Sequence, residues 1–133
     1  MRIMLDTNVL ISAGLFPNSK IDQLIEYIVA RHKLVLSDLI INELLEVAAY
    51  KKFDKVQAVR MFLDRLSYTE FKTPPITVID GLTIRDDADY PILFSAVKAG
   101  VDIFITGDKD FIESSVSVPK MMTMTQFRRA YMR

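Results

Sequence analysis

The chain contains no cysteine and only one histidine, His32. Without cysteine it forms neither disulfides nor thiolate metal sites, and it has no cysteine nucleophile. A single histidine argues against a histidine-rich zinc site and against a serine–histidine–aspartate triad.

Long hydrophobic runs are also missing from the sequence. No stretch of about 18 uninterrupted apolar residues occurs, so we expect no membrane-spanning helix. The apolar segment that precedes Asp6 is shorter than a secretory signal requires. Together with the absence of cysteine, which fits a reducing compartment, this predicts a cytoplasmic protein.

An excess of one charge is the third missing feature, because 17 acidic residues balance 17 basic ones. A protein with no net charge does not attract nucleic acid through its overall field. Any binding of nucleic acid must use local basic patches, or metal ions that reverse the sign of an acidic site.

The length of 133 residues and the hydrophobic content of 50% fit a single domain spanning 1–133. Apolar periodicity predicts strands and helices that alternate along the chain, which indicates an α/β fold with a parallel sheet. The predicted strands are residues 2–6, 33–36, 76–79, 101–105 and 118–122. The predicted helices are 8–13, 19–29, 37–47, 54–66 and 86–99, a short one after Asp108 and a last one from 123, with Ser19, Ser37 and Thr123 as caps.

Acidic residues stand where ligands bind in such sheets, beyond the carboxyl ends of the strands. Asp6 ends the first predicted strand, and Asp108 follows the strand 101–105. Asp89 lies in the first turn of the preceding helix. Glu43 lies within a helix, with Glu46 as a competitor one turn later.

Carboxylates from four separate segments would repel each other in one cleft unless a cation or protons neutralised them. Oxygen ligands suit hard ions such as Mg²⁺ or Mn²⁺. Such ions activate water and stabilise charge on a phosphate under attack. Because no side chain is an obvious general base, metal-activated water is the simplest nucleophile.

Each of these polar residues also has an ordinary structural interpretation. Asp86 and Asp87 look more like cap and turn acids, whereas Asp110 is either an additional ligand or a first-turn helix acid. Asn8 either caps the first helix or orients Asp6 without being a metal ligand itself. Thr106 is either a plain strand-end hydroxyl or a hydrogen-bond donor within the site.

Basic residues that could hold a polyanion occur in three places. Arg85 and Lys109 flank the acidic motifs and are the better candidates for phosphate contact. The chain end carries Lys120, Arg128, Arg129 and Arg133, and a helix end carries Lys51, Lys52 and Lys55. Phe127 and Tyr131 in the chain end either stack on bases or, as we favour, dock the last helix on the core.

Four segments, in this order, resemble the motifs of a PIN domain. They are LDTNVLIS at 5–12, SDLIINELLEV at 37–47, RDDADYPIL at 85–93 and AGVDIFITGDKDF at 99–111. The ordered set, with Thr-Gly-Asp-Lys-Asp after an apolar strand, is more specific than any one motif. The resemblance spans residues 1 to about 112.

The resemblance implies a three-layer α/β/α sandwich and a Mg²⁺- or Mn²⁺-dependent endoribonuclease that hydrolyses phosphodiester bonds. Carried over by motif, the catalytic and metal-binding acids are Asp6, Glu43, Asp89 and Asp108, with Asp110 as a fifth ligand. Asn8 and Thr106 match the family's supporting polar positions. Asp89 is preferred over Asp86 because it lies three residues before Ile92, although relatives often have Asp-Pro at positions 86 and 87.

Small PIN domains of this length resemble the toxins of type II toxin–antitoxin systems. This likeness implies RNA as substrate, a separate antitoxin protein that blocks the site, and a homodimer. The alternative is a non-catalytic PIN scaffold that binds RNA or protein, and the presence of all four acids argues against it. Phosphotransfer proteins of the receiver type and Asp-x-Asp phosphatases are disfavoured because Asn8 stands where a second acid is expected.

Overall fold

The computed structural model describes residues 1–16, 18–50 and 55–132. The strands are β1 (Arg2–Leu5), β2 (Lys33–Ser37), β3 (Thr69–Phe71), β4 (Ile103–Ile105) and β5 (Lys120–Met122). The helices are α1 (Thr7–Leu15), α2 (Ser19–Arg31), α3 (Asp38–Ala48), α4 (Val56–Arg65), α5 (Tyr90–Lys98), α6 (Lys109–Ile112) and α7 (Met124–Tyr131). A short 3₁₀ helix, Asp87–Asp89, precedes α5.

The five strands form one sheet in the order β3-β2-β1-β4-β5, and each neighbouring pair is parallel. β1 therefore lies at the centre, with β4 on one side and β2 on the other. Helices cover the sheet, as parallel connections require. The predicted α/β architecture with a parallel sheet between layers of helices is confirmed.

The core lies on the three central strands. Their residues Ile3–Leu5, Leu34–Leu36 and Ile103–Ile105 are almost fully buried, as expected for strands covered on both faces. Amphipathic helices pack against them with the apolar residues that their periodicity predicts. The carboxyl ends of β1 and β4 meet at the same edge, because the two strands are paired in parallel from Ile3 and Ile103 onwards.

Two of the three predicted helix caps are confirmed. The Ser37 hydroxyl accepts a hydrogen bond from the backbone N–H of Ile40, and Thr123 forms a reciprocal capping box with Gln126. The prediction for Ser19 was wrong. Asn18 caps α2 instead, because its Oδ1 accepts hydrogen bonds from two N–H groups of the first turn, those of Lys20 at 2.9 Å and Ile21 at 3.3 Å.

The third strand is the largest departure from the predicted elements. The expected strand at 76–79 is wrong, and the sheet instead uses Thr69–Phe71. Residues 76–79 follow two prolines and are held by Tyr90, whose hydroxyl donates to the Thr77 carbonyl at 2.7 Å and accepts from the Ile79 N–H at 3.2 Å. Side-chain anchoring thus replaces strand pairing, and Val78 is left 89% exposed.

The helix predicted at 86–99 begins later than expected. Pro91 has no N–H to continue a helix from residue 87, so the α-helical pattern starts at Tyr90 and the preceding turn is 3₁₀. The strand predicted at 101–105 is confined to Ile103–Ile105, and that at 118–122 is confined to Lys120–Met122.

The last helix docks on the core through Phe127, which is fully buried. Its ring contacts those of Tyr27 and Tyr131, and the Tyr27 hydroxyl donates to the Tyr131 carbonyl at 2.8 Å. Packing, rather than base stacking, is therefore the role of Phe127. Lys51, Lys52 and Arg133 lie outside the described residues.

Within the described part of the chain, the helices are all too short or too polar to cross a membrane.

Candidate metal centre

Asp6 anchors the site at the carboxyl end of β1. Its carboxylate caps α1 by accepting from the N–H of Thr7 at 2.7 Å, and its other oxygen accepts from the Thr106 hydroxyl at 2.7 Å. The Asp6 backbone N–H donates to the Ile105 carbonyl at 2.9 Å, which fixes it against β4. Asp6 is only 5% exposed, so these contacts hold its carboxylate in one position at the carboxyl edge of the sheet.

The turn after β4 presents Asp108 beside Asp6. The buried Thr106 hydroxyl accepts from the Asp108 N–H at 3.0 Å while donating to Asp6, so one hydroxyl connects the two acids. The Asp108 carboxylate caps α6 by accepting from the Asp110 N–H at 2.9 Å. Phe104 and Phe111, on either side of the turn, stack with ring centroids 5.1 Å apart and hold its two ends together.

A second part of the acidic edge comes from the 3₁₀ turn. Asp86, Asp89 and Asp110 each offer a carboxylate oxygen, and these oxygens lie within 4.8 Å of one another. Asp86 caps the turn by accepting from the Ala88 N–H at 3.0 Å, as its cap interpretation predicted. It also belongs to the acidic group, which the motif comparison did not predict.

The acids act on one another electrostatically. Burial is the main cause that raises the pKa of Asp6 to about 6, and the charges of Glu43 and Asp108 raise it further against the opposing hydrogen bonds from Thr106 and Thr7. The pKa of Asp89 is also raised to about 6, by desolvation and then by the charges of Asp108, Asp86, Asp6 and Asp110. These shifts link the acids into one mutually repelling cluster.

Glu43 is exposed on α3 and joins this cluster through its charge on Asp6. Asn8 is exposed on α1, whose cap is Asp6 and not Asn8, so the capping role considered for Asn8 is wrong. Thr106 is a hydrogen-bond donor within the site and not a plain strand-end hydroxyl.

Two basic side chains lie next to the acids. Arg85 forms a bidentate pair with Asp110, with Nε at 2.7 Å and Nη2 at 2.8 Å from its two oxygens. This pairing raises the pKa of the Arg85 guanidinium. The Arg85 side chain is 79% exposed, and Lys109 is exposed on α6.

The donor set fits a hard divalent cation. All the clustered ligand atoms are carboxylate oxygens, which Mg²⁺ and Mn²⁺ prefer. The carboxylate oxygens of Asp86, Asp89 and Asp110 lie within 4.8 Å of one another, near enough for one cation to contact all three. A cation would also relieve the repulsion that adds to burial in raising the pKa values of Asp6 and Asp89.

An open cleft of about 300 Å³ adjoins the site at the ends of β4 and β5. It is bordered by Asn8, Val9, Ser12, Ile21, Thr106, Gly107 and residues 123–125. Thr106 contacts Asp6 and also borders the cleft, so a ligand in the cleft would lie beside the acids.

The fold and the site define an α/β protein whose acidic residues gather at the carboxyl edge of a parallel sheet. The family model described as PIN domain matches residues 2–110, more than half of the chain. The chain belongs to the PIN-domain family, as its motifs predicted. No curated protein matches it.

One solved structure similar to this chain is the crystal structure of VapBC2 from Rickettsia felis. In that structure VapBC2 is bound to a DNA fragment from its promoter. The TM-score is 0.69 at 15% sequence identity, and the match covers 92% of this chain and 98% of that chain. At this low identity the likeness concerns the fold.

The residue that sequence reasoning set aside is Asp86. The sequence does carry a signal for it, because residues three apart lie on one side of a helical turn, as Asp86 and Asp89 do. The pairing of Arg85 with Asp110 had no such signal, since the two are 25 positions apart.

Proposed function

We propose that this chain is a divalent-cation-dependent endoribonuclease that serves as the toxin of a type II toxin–antitoxin pair. The observation that carries the proposal is the cluster of acids from separate segments at the sheet edge, with raised pKa values for Asp6 and Asp89. Such a cluster is costly without a cation. Membership of the PIN-domain family supports nuclease chemistry.

The proposed ligands of one or two Mg²⁺ or Mn²⁺ ions are Asp6, Glu43, Asp89 and Asp108, with Asp110 as a fifth. Asp86 joins this set, because its carboxylate lies within 4.8 Å of those of Asp89 and Asp110. When bound, the cation activates water and stabilises the charge that develops on the phosphate.

The protein's own side chains orient this site. Thr106 and the Thr7 N–H each bind one oxygen of Asp6, and each oxygen keeps a lone pair for a ligand. Arg85 donates hydrogen bonds from Nε and Nη2 to Asp110, so its Nη1 remains to contact a substrate phosphate. Lys109 and Asn8, both exposed near the acids, are the other proposed substrate contacts.

The proposed partners are RNA as substrate, a cognate antitoxin, and a second copy of this chain in a homodimer. The shared fold with a VapBC2 protein and the PIN family match support the toxin assignment. The cytoplasmic location and the single-domain extent of 1–133 remain predictions from the sequence.

Cleavage of a mixed RNA pool, and of DNA of matching sequence, tests the proposed activity. The wild-type protein is expected to cut RNA with Mn²⁺ or Mg²⁺ and to stop when a chelator is added. Asp108→Asn should abolish cutting, whereas Asp64→Asn, an exposed acid on α4, should leave it intact. Cutting that persists in full chelation would contradict the proposal.

The same assay addresses the non-catalytic alternative. Binding of RNA without metal and without any cleavage, equal in wild type and Asp108→Asn, would favour a PIN scaffold that only binds. Cutting of DNA but not RNA would retain the metal chemistry and replace the substrate.

A further inference from the structure

A second cleft continues the one beside Thr106. It has a volume of about 250 Å³ and is lined by Lys20, Met124, Thr125, Arg128 and Arg129. Met124 and Thr125 line both clefts, so the two meet at the first turn of α7. The clefts together form one path that leads from the acidic edge to the side of α7.

The charge along this path changes with distance from the acids. Among the described residues that line the two clefts, Lys20, Arg128 and Arg129 are basic and none is acidic. The Arg128 guanidinium is fixed at the rim, because Nη1 donates to the Lys20 carbonyl at 3.1 Å. A basic group thus lies next to a strongly acidic site in a protein with no net charge.

The portion of the path near Thr106 has a different character. Val9, Ile21 and Met124 give it apolar walls, and Thr123 and Thr125 add hydroxyls. Such a surface suits the sugars and base faces of a nucleic acid strand, whereas the basic end suits its phosphates. Phe127 does not contribute stacking here, since its ring is buried in the core.

We propose that this path, defined as the Lys20–Arg129 groove, binds the backbone of single-stranded RNA beside the bond that is cut. The inference rests on the proposed function. A strand whose phosphate is held by the proposed cation at Asp6 and Asp108 continues with further phosphates, and these need basic side chains to contact. The groove leads the strand past Thr106 to the basic side chains of Lys20, Arg128 and Arg129.

Binding of a labelled deca-uridylate RNA, followed by fluorescence anisotropy, tests the groove. All proteins carry Asp6→Asn so that the RNA is not cut. Adding Lys20→Ala and Arg129→Ala should raise Kd by roughly tenfold near 0.1 M salt and lower the slope of log K against log salt by about 1.4, since each lost phosphate contact contributes about 0.7. The matched control, Arg60→Ala with Arg65→Ala on α4, removes the same charge elsewhere.

Cleavage kinetics separate this inference from the proposed function. With Asp6 restored, Lys20→Ala/Arg129→Ala should raise KM for the deca-uridylate while kcat stays near that of the wild type. If the wild type cuts RNA but this variant matches the α4 control in Kd and salt slope, the groove is refuted and the nuclease stands. If the wild type cuts nothing, the proposed function fails independently.

A peptide partner is the competing occupant of the groove. Loss of deca-glutamate binding in Lys20→Ala/Arg129→Ala, with RNA binding unchanged, would overturn the assignment to RNA. A parallel loss of deca-uridylate binding and salt slope, with deca-glutamate bound weakly by every variant, supports it.

Discussion

Replacing Asp6 by asparagine should stabilise the metal-free protein, although the residue is nearly buried and lies at the proposed active site. In the folded chain the pKa of Asp6 is raised from 3.8 to about 6, chiefly by burial. A pKa raised from 3.8 to about 6 means that the ionised carboxylate costs the folded state roughly 3 kcal/mol, since a tenfold change in acidity corresponds to about 1.4 kcal/mol. Asparagine never carries that charge.

The sign of the pH dependence follows from the direction of the shift. Because the folded pKa lies above the unfolded value, the folded state holds the extra proton between about pH 4 and pH 6. Wild-type stability from this group is full below that window and is lost as the pH rises through it. The gain in the free energy of unfolding that Asp6→Asn brings should therefore be near zero at pH 4 and largest above pH 6.

The net gain is smaller than the full electrostatic cost. In the wild type, the Thr7 N–H and the Thr106 hydroxyl both donate to Asp6. The asparagine amide can still accept from the Thr7 N–H, but its NH₂ group must donate to Thr106. Allowing about 1 kcal/mol for that exchange leaves about 1 to 2 kcal/mol, or an increase in Tm of roughly 3 to 8 °C above pH 6.

Thermal unfolding with a chelator present, at several pH values from 4.5 to 8, measures this gain. In a second series without chelator, Mn²⁺ at about 100 times its Kd should stabilise the wild type by about 2.7 kcal/mol and the variant by much less. Asp64→Asn, an exposed acid on α4, serves as the control and should change stability by less than about 0.5 kcal/mol. A variant less stable than wild type at pH 8, or a pH-independent difference, would refute the reasoning.

Glu43→Gln should weaken Mn²⁺ binding by roughly tenfold in calorimetric titration, because its charge acts on Asp6; equal weakening by Glu46→Gln, one turn along α3, would contradict this. Arg85→Ala should tighten Mn²⁺ binding severalfold, because it frees both oxygens of Asp110, and a looser complex in the same titration would oppose that interpretation. Phe127→Ala should lower the free energy of unfolding by about 3 to 5 kcal/mol in urea, since the ring is fully buried. A loss under about 1 kcal/mol would mean that α7 does not depend on this ring.

The parts of the fold that could be predicted from the sequence are those with a strong apolar period. The buried central strands are continuous apolar runs, and the amphipathic helices repeat every three to four residues. The edge strand Thr69–Phe71 has no such pattern, because two of its three side chains are exposed. Residues 76–79 resemble a strand in composition, yet Tyr90 holds them by contacts that no local pattern encodes.

The candidate site divides in the same way. Asp6 and Asp108 were predictable as site candidates because strand ends in a parallel sheet share one edge. The double role of Thr106 was one of several alternatives, and only the three-dimensional arrangement shows that it connects Asp6 to Asp108. The pairing of Arg85 with Asp110 depends on how the 3₁₀ turn approaches α6, which depends on packing and not on local sequence.

If the proposed metal site is correct, the stacked rings of Phe104 and Phe111 have a consequence for the rate of ion binding. The stacked rings hold the two ends of the loop that carries Asp108, and the Thr106 hydroxyl holds Asp6 by a hydrogen bond. Both acids are therefore in position before an ion binds. Ion entry then requires no ordering of the loop. The association rate should follow the rate at which each ion sheds its own water, which makes Mg²⁺, slow to dehydrate, the slower of the two to load.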